Sequence, residues 1–294
     1  MKIVRLLALS LAAGLVVLAA APGSAPAAAP TTPTLTGIRA AHHPGFDRVV
    51  FQFTGGLPAS RRARYVDRLI DDGSGQPIRI AGRAILRVRF APAQAHNANG
   101  RPTVAARRTF ALPNVMTAVR SGDFEAVTSY GIGLAKRTSF HVSALRHPSR
   151  VVVDVKAGFP TVDRRVFFFN RRHFAANQRP FFSPRLRPVR ITTPATGLMD
   201  RLFAGVLPGE QADGLRLLRS DATGFSHLSV GNRIARVRLT GGCNSHGSTV
   251  TIAGEIMPTL RQLRAVDWVK IYDPAGHTEH PAGPTDSIPT CLEP

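Results

Sequence analysis

The chain has 294 residues, 44% of them hydrophobic, which is long and apolar enough for two domains with real cores. Its formal net charge of +20 comes almost wholly from arginine, because only Lys2, Lys136, Lys156 and Lys270 are lysines. Such a charge points to a polyanionic partner, although a GC-rich genome and a merely solvated surface explain the same excess.

Lys2 and Arg5 precede an apolar run at residues 6–21, and an Ala/Pro-rich stretch continues to Pro30. That is the layout of a secretory signal peptide, assigned here to residues 1–30, with Ala25 and Ala27 satisfying the small-x-small rule for cleavage. No cysteine lies near it, so a lipoprotein anchor is not expected; an uncleaved signal anchor is the alternative. The run is short for a full span, and no later segment is apolar enough to cross a bilayer. Export argues against nucleic acid as the partner and leaves wall polymers, their carboxylates and anionic head groups. Membrane contact is expected only through the signal segment, if it is uncleaved.

Residues 31–45 read as a Thr/Pro-rich tether ending in His42-His43, two exposed loop residues rather than metal ligands. From Phe46 the chain alternates. Val49, Phe51 and Phe53, then Leu86, Val88 and Phe90, then Phe140, Val142 and Ala144, then Val151, Val153 and Val155 form apolar faces. Gly, Pro and Asn breakers separate them. Short alternating strands without a long helix predict an antiparallel β-sandwich over residues 46–157. Asp47, Arg48 and Arg150 read as strand-end charges able to cross-pair. Gly131 and Gly133 read as a bulge or tight bend. Residues 31–157 carry 19 basic and 7 acidic groups, a net of +12; residues 158–190 carry +7 and residues 191–294 carry −1.

Three blocks, GFDRVVFQF (45–53), GDFEAVTSYGIGL (122–134) and FHVSALRHPSRVVVDV (140–155), occur in an order that resembles the AMIN-like domain of secreted and lipid-anchored actinobacterial proteins. The resemblance covers roughly 37–157. It implies binding to the cell wall, not hydrolysis.

Gly158-Phe-Pro160 is the expected boundary, where a protease should cut near residues 156–161 and leave two folded fragments. Residues 166–169 then read as a buried strand, and residues 170–189 as a basic loop and return segment. Thr193-Pro194 starts a helix striped by Leu198, Leu202 and Val206, which Pro208-Gly209 ends. Gly231-Asn232 turns a hairpin. Ile252, Ile256, Leu260 and Leu263 mark one kinked helix across Pro258, with Gly254 four residues back, and residues 266–272 follow as a strand. The expected order over residues 160–294 is β-α-β-β-α-β, an α+β domain with two helices on one sheet.

The helix at 198–207, LPGEQADGL (207–215), RIARVRLT (233–240) and residues 256–269 resemble a GerMN domain, known from germination and sporulation proteins, over roughly 160–283. The tail looks like an actinobacterial variant. The resemblance implies a non-enzymatic envelope module.

No GxSxG elbow, HExxH helix or P-loop occurs, and no residue calls for a cofactor. His277 and His280 fit an exposed loop better than a metal site, even with Asp267, Asp273 and Glu279 available nearby. The only cysteines, Cys243 and Cys291, are expected to form a disulfide in an exported chain; two buried thiols or a redox pair are the rivals. The expectation is a non-enzymatic exported envelope protein. Its partners would be a cell-wall polymer, peptidoglycan or an anionic glycan, and an envelope protein. A scaffold without glycan affinity and a wall hydrolase or metal-dependent wall enzyme are the alternatives.

Overall fold

A computed structural model describes residues Thr31–Pro294, which form one compact unit. The signal-peptide assignment lies outside the described residues. Among the described residues no helix is long and apolar enough to cross a membrane. The N-terminal half runs β1 (Thr34–His43), β2 (Phe46–Thr54), β3 (Ser60–Val66), the two-residue β4 (Leu69–Ile70) and β5 (Pro77–Ile78), β6 (Ala84–Ala91), β7 (Arg107–Thr109), β8 (Val115–Phe124), β9 (Val127–Leu134), β10 (Phe140–Leu145) and β11 (Arg150–Lys156). A four-stranded sheet, β1-β2-β11-β10, faces a five-stranded sheet, β3-β6-β9-β8-β7, and every pairing in both is antiparallel. Alternation puts Phe51 of the first sheet against Phe90 and Tyr130 of the second, with ring centroids 5.0 and 5.8 Å apart.

The expected tether at 31–45 is instead β1, hydrogen-bonded along β2. A register shift between Leu35 and Gly37 separates the buried Leu35 and Ile38 by three residues, so the two-residue period that reveals a strand is broken. The bulge expected at Gly131 and Gly133 lies on the strand paired with them. The two glycines lie within β9 in continuous register with β6, and the irregularities fall on the partner β8, between Val115 and Thr117 opposite Leu134 and Gly133 and between Arg120 and Gly122 opposite Tyr130 and Ser129. A strap at residues 67–82 crosses this face, and a Cβ at either glycine would strike it, at Leu69 or at Ala81.

The C-terminal half runs β12 (Thr161–Asn170), α1 (Arg171–Ala175), β13 (Phe182–Arg190), α2 (Pro194–Ala204), α3 (Pro208–Ala212), β14 (Leu215–Arg216), β15 (Ala222–Gly231), β16 (Ile234–Gly241), α4 (Ala253–Arg261) and β17 (Trp268–Tyr272). Its strands divide between two three-stranded sheets, β13-β12-β14 and β15-β16-β17, rather than sharing one. The difference comes from the β12–β13 hairpin, which pairs Thr161–Arg190 through Phe169–Phe182. Pro184 and Pro188 hide β13 in the sequence, but it is an edge strand, where a missing N–H is tolerated. Helices α2 and α4 pack in the core between the sheets: Leu198, Leu202, Ile256 and Leu260 are buried with Val166, Phe168, Val237 and Val269. Pro258 lies inside a single α4, and Gly254 gives the Phe182 ring its place against that helix.

Glu255 of α4 is fully buried. Its carboxylate accepts the N–H groups of Phe169 at 2.9 Å and Leu218 at 3.1 Å, tying the helix to β12 and to the segment after β14. The chain after β17 folds back along the edge of that strand. The Ile271 N–H meets the Ser287 carbonyl at 2.9 Å, and the buried Lys270 ammonium holds the carbonyls of His280 and Ala282. Cys291 is bonded to Cys243, with Cα atoms 5.7 Å apart, and the adjacent Leu292 is buried in the core.

Two predictions follow from these anchors. Burial pushes the Glu255 carboxyl well above the ordinary carboxylate range, and the two N–H donors and Arg219 only partly oppose it. The folded state therefore binds this proton more tightly than the unfolded chain, so stability falls as pH rises from the ordinary range toward the folded value. In Glu255→Gln that slope should disappear, so its unfolding temperature should decline less than the parent's between about pH 5 and about pH 8; equal pH slopes would count against it. Cys291→Ser should lower the unfolding temperature, since closing a 48-residue separation is worth ~4 kcal/mol in the chain-entropy model. Two alkylated thiols in the non-reduced protein, measured by intact mass, would contradict the bridge.

Candidate anion-binding face

Leu86, Val88 and Phe90 of β6 are buried in the sandwich, so the intervening Arg87 and Arg89 point to the outer face of the five-stranded sheet. The register with β3 places Arg62 directly opposite Arg89 and Arg64 directly opposite Arg87. Side chains so placed have Cβ atoms about 5 Å apart, and like charges there are destabilising. In water each pair costs on the order of 1 kcal/mol before screening. One carboxylate relieves the set: Asp72 from the strap accepts from Arg87 at 2.6 Å. Arg87 Nε is buried without a partner, and Arg62, Arg64 and Arg89 have no salt bridge among the described residues. The strap covers the neighbouring β9 and β8, with the Asp72 N–H on the Ser121 carbonyl at 2.7 Å, and reaches β6 at Arg87, while Arg62, Arg64 and Arg89 are exposed.

Some arginines elsewhere have structural partners. Arg48 forms a two-pronged pair with Asp154 across β2 and β11, at 2.7 and 2.8 Å. Asp47 is no strand-end charge. It is fully buried, accepts the N–H groups of Asn114 at 2.6 Å and Val115 at 2.8 Å, and so pins β2 to the start of β8 in the opposite sheet. Its other oxygen meets His42 Nδ1 at 2.7 Å, while His43 stacks on Phe46. Arg150 makes only a long contact to the Pro148 carbonyl.

The acidic and histidine residues of the tail do not converge on one site, although His277 Nδ1 lies 3.4 Å from Asp273. Asp267 pairs with Arg233, Asp273 accepts the N–H groups of Gly276 and His277, and Glu279 lies beside Glu293. Among the described residues no group of three His, Cys, Asp or Glu is placed to hold a metal ion. The apolar alternation of Leu86, Val88 and Phe90 in the sequence implies that Arg87 and Arg89 face outward. Arg62 and Arg64 carry no such signal, because the inward residue between them is the small Ala63.

Residues 33–157 match the family model of the AMIN-like domain. The match spans the whole sandwich, β1 included, and an AMIN-like domain is a mark of wall- and envelope-associated proteins. No curated protein and no solved structure matches the chain.

Because the facing arginines of the AMIN-like part repel one another, Arg62→Gln with Arg89→Gln should raise the unfolding temperature at low salt. The gain should vanish near 1 M salt, where screening acts within about 3 Å. A loss of stability at low salt would show that these side chains have partners.

Proposed function

We propose that this is an exported, non-enzymatic envelope protein whose AMIN-like part binds an anionic cell-wall polymer through the arginines of β3 and β6. The observation that carries the reading is the register Arg62–Arg89 and Arg64–Arg87, which holds like charges opposite one another with Arg62, Arg64 and Arg89 exposed and one carboxylate nearby. A repeating anionic chain laid across the strands relieves that repulsion, and each guanidinium offers a planar fork suited to carboxylate or phosphate oxygens. The AMIN-like match supports the wall as the setting. Residues 160–294 act in this reading as a GerMN-type module that supplies protein contacts or support. The sequence resemblance supports it, as does the hairpin β15–β16 followed by α4 and the parallel β17.

Co-sedimentation of the purified protein with isolated wall sacculi, with a zymogram alongside, tests this. Binding should fall steeply as salt rises, and Arg62→Gln with Arg64→Gln and Arg89→Gln should weaken it by about tenfold or more, roughly 0.5 kcal/mol per lost contact. No clearing should appear in the zymogram. Salt-independent binding, binding untouched by the triple substitution, or a cleared zone would each sink the proposal.

A further inference from the structure

Between the sandwich and the second core lies a cleft of about 460 Å³, whose lining includes Arg79, Arg107 and Arg219 together with Phe203 and Phe225. The three arginines come from different parts of the chain. Arg79 belongs to the strap, Arg107 is on β7 opposite Val119, and Arg219 lies in the loop before β15. Asp200 is the one carboxylate in the lining, and it is already engaged by Arg83 at 2.5 and 2.8 Å. The Arg83 guanidinium also lies over the Phe225 ring, 4.8 Å from its centroid, and Phe225 stacks on Phe203. Arg107 donates to the Arg79 carbonyl at 2.6 Å, which uses a donor and neutralises no charge. Among the described residues neither Arg79, Arg107 nor Arg219 forms a salt bridge.

We propose that this cleft binds the phosphate group of a sugar-sized ligand, held between Arg107 of the sandwich and Arg219 of the second core. A carboxylate has two oxygens and is satisfied by one guanidinium fork, whereas phosphate presents three or four and suits two or more. The cavity exceeds a phosphate alone and falls in the range of small-ligand pockets. Burial, and after it the positive charge of Arg219, holds the Arg107 guanidinium below its ordinary value, a situation that a bound anion reverses. The two arginines lie on opposite sides of the junction, so the ligand would also tie the halves together. This cleft is separate from the β3–β6 face, and its failure would leave the wall-binding proposal standing.

Titration calorimetry and thermal unfolding of the whole protein test it, with inorganic phosphate, glucose 1-phosphate and a glycerol phosphodiester as probes. Acetate and chloride at matched ionic strength are the controls. Phosphate should raise the unfolding temperature where acetate and chloride do not. A preference for glucose 1-phosphate would assign a free monoester, and a preference for the diester a wall-polymer unit. Arg219→Gln, at the exposed rim, and Arg107→Gln should each weaken phosphate binding about tenfold, the cost of one charged hydrogen bond of roughly 1.4 kcal/mol. Arg62→Gln should leave it unchanged. Equal effects of phosphate and chloride, or full phosphate affinity in Arg219→Gln, would overturn the proposal. If Arg107→Gln does not fold, Arg219→Gln decides alone.

Discussion

Two consecutive residues of α2 hold this molecule together. Asp200 and Arg201 are both buried, and a lone buried charge of either sign costs several kcal/mol. Both find their partners in the sandwich. Arg83 takes Asp200 through two prongs, and Arg201 donates to the carbonyls of Leu112 at 2.5 Å and Pro113 at 3.1 Å. Burial lowers the Arg201 guanidinium to about 10, with nearby Asp47 opposing the fall, so it stays charged at neutral pH. The carbonyls it holds immediately precede Asn114 and Val115, whose N–H groups bind the buried Asp47. A continuous polar line thus runs from α2 through the loop before β8 to β2. Thr109 closes the junction by donating to the Ala204 carbonyl at 2.8 Å, at the last residue of α2.

This junction separates two hydrophobic cores that the chain builds independently. One gathers residues of β1, β2, β6, β8, β9 and β11; the other gathers α2, α4 and the strands of the two small sheets. The contact between them includes these polar, directional bonds, which specify one docking geometry more narrowly than an apolar face alone would. The same junction sets Arg107 and Arg219 into one cleft. The arginine excess therefore has two fates. Arg48, Arg83, Arg187, Arg233 and Arg261 pair with carboxylates and serve the fold. Arg62, Arg64, Arg89, Arg107 and Arg219 have no such partner among the described residues, and the binding proposals rest on them.

Much of the fold was legible where one face of a strand or helix is apolar at a regular period. The alternation around Phe51, Val88 and Val153 marked the sandwich, and the stripe from Ile252 to Leu263 marked α4. Where a local rule was broken, the reading stopped. The bulge after Leu35 disguised β1 as a tether, and prolines on an edge strand disguised β13. The charge excess pointed to the arginines, but only the register of β3 with β6 shows which of them face each other. Asp47 was misread because a carboxylate beside an arginine suggests an exposed pair, whereas its partners are backbone N–H groups far along the chain, which leave no trace in composition. The junction itself was invisible for the same reason. The Asp200–Arg201 pair looks like ordinary helix-surface charge until its partners at residues 83, 112 and 113 are brought alongside.

Differential scanning calorimetry of the whole protein tests that junction most directly. With α2 joining the two cores, the parent protein should unfold in one transition with matching calorimetric and van't Hoff enthalpies. Asp200→Asn combined with Arg201→Met should split it into two transitions, one for each core. Two independent transitions in the parent protein would contradict the account.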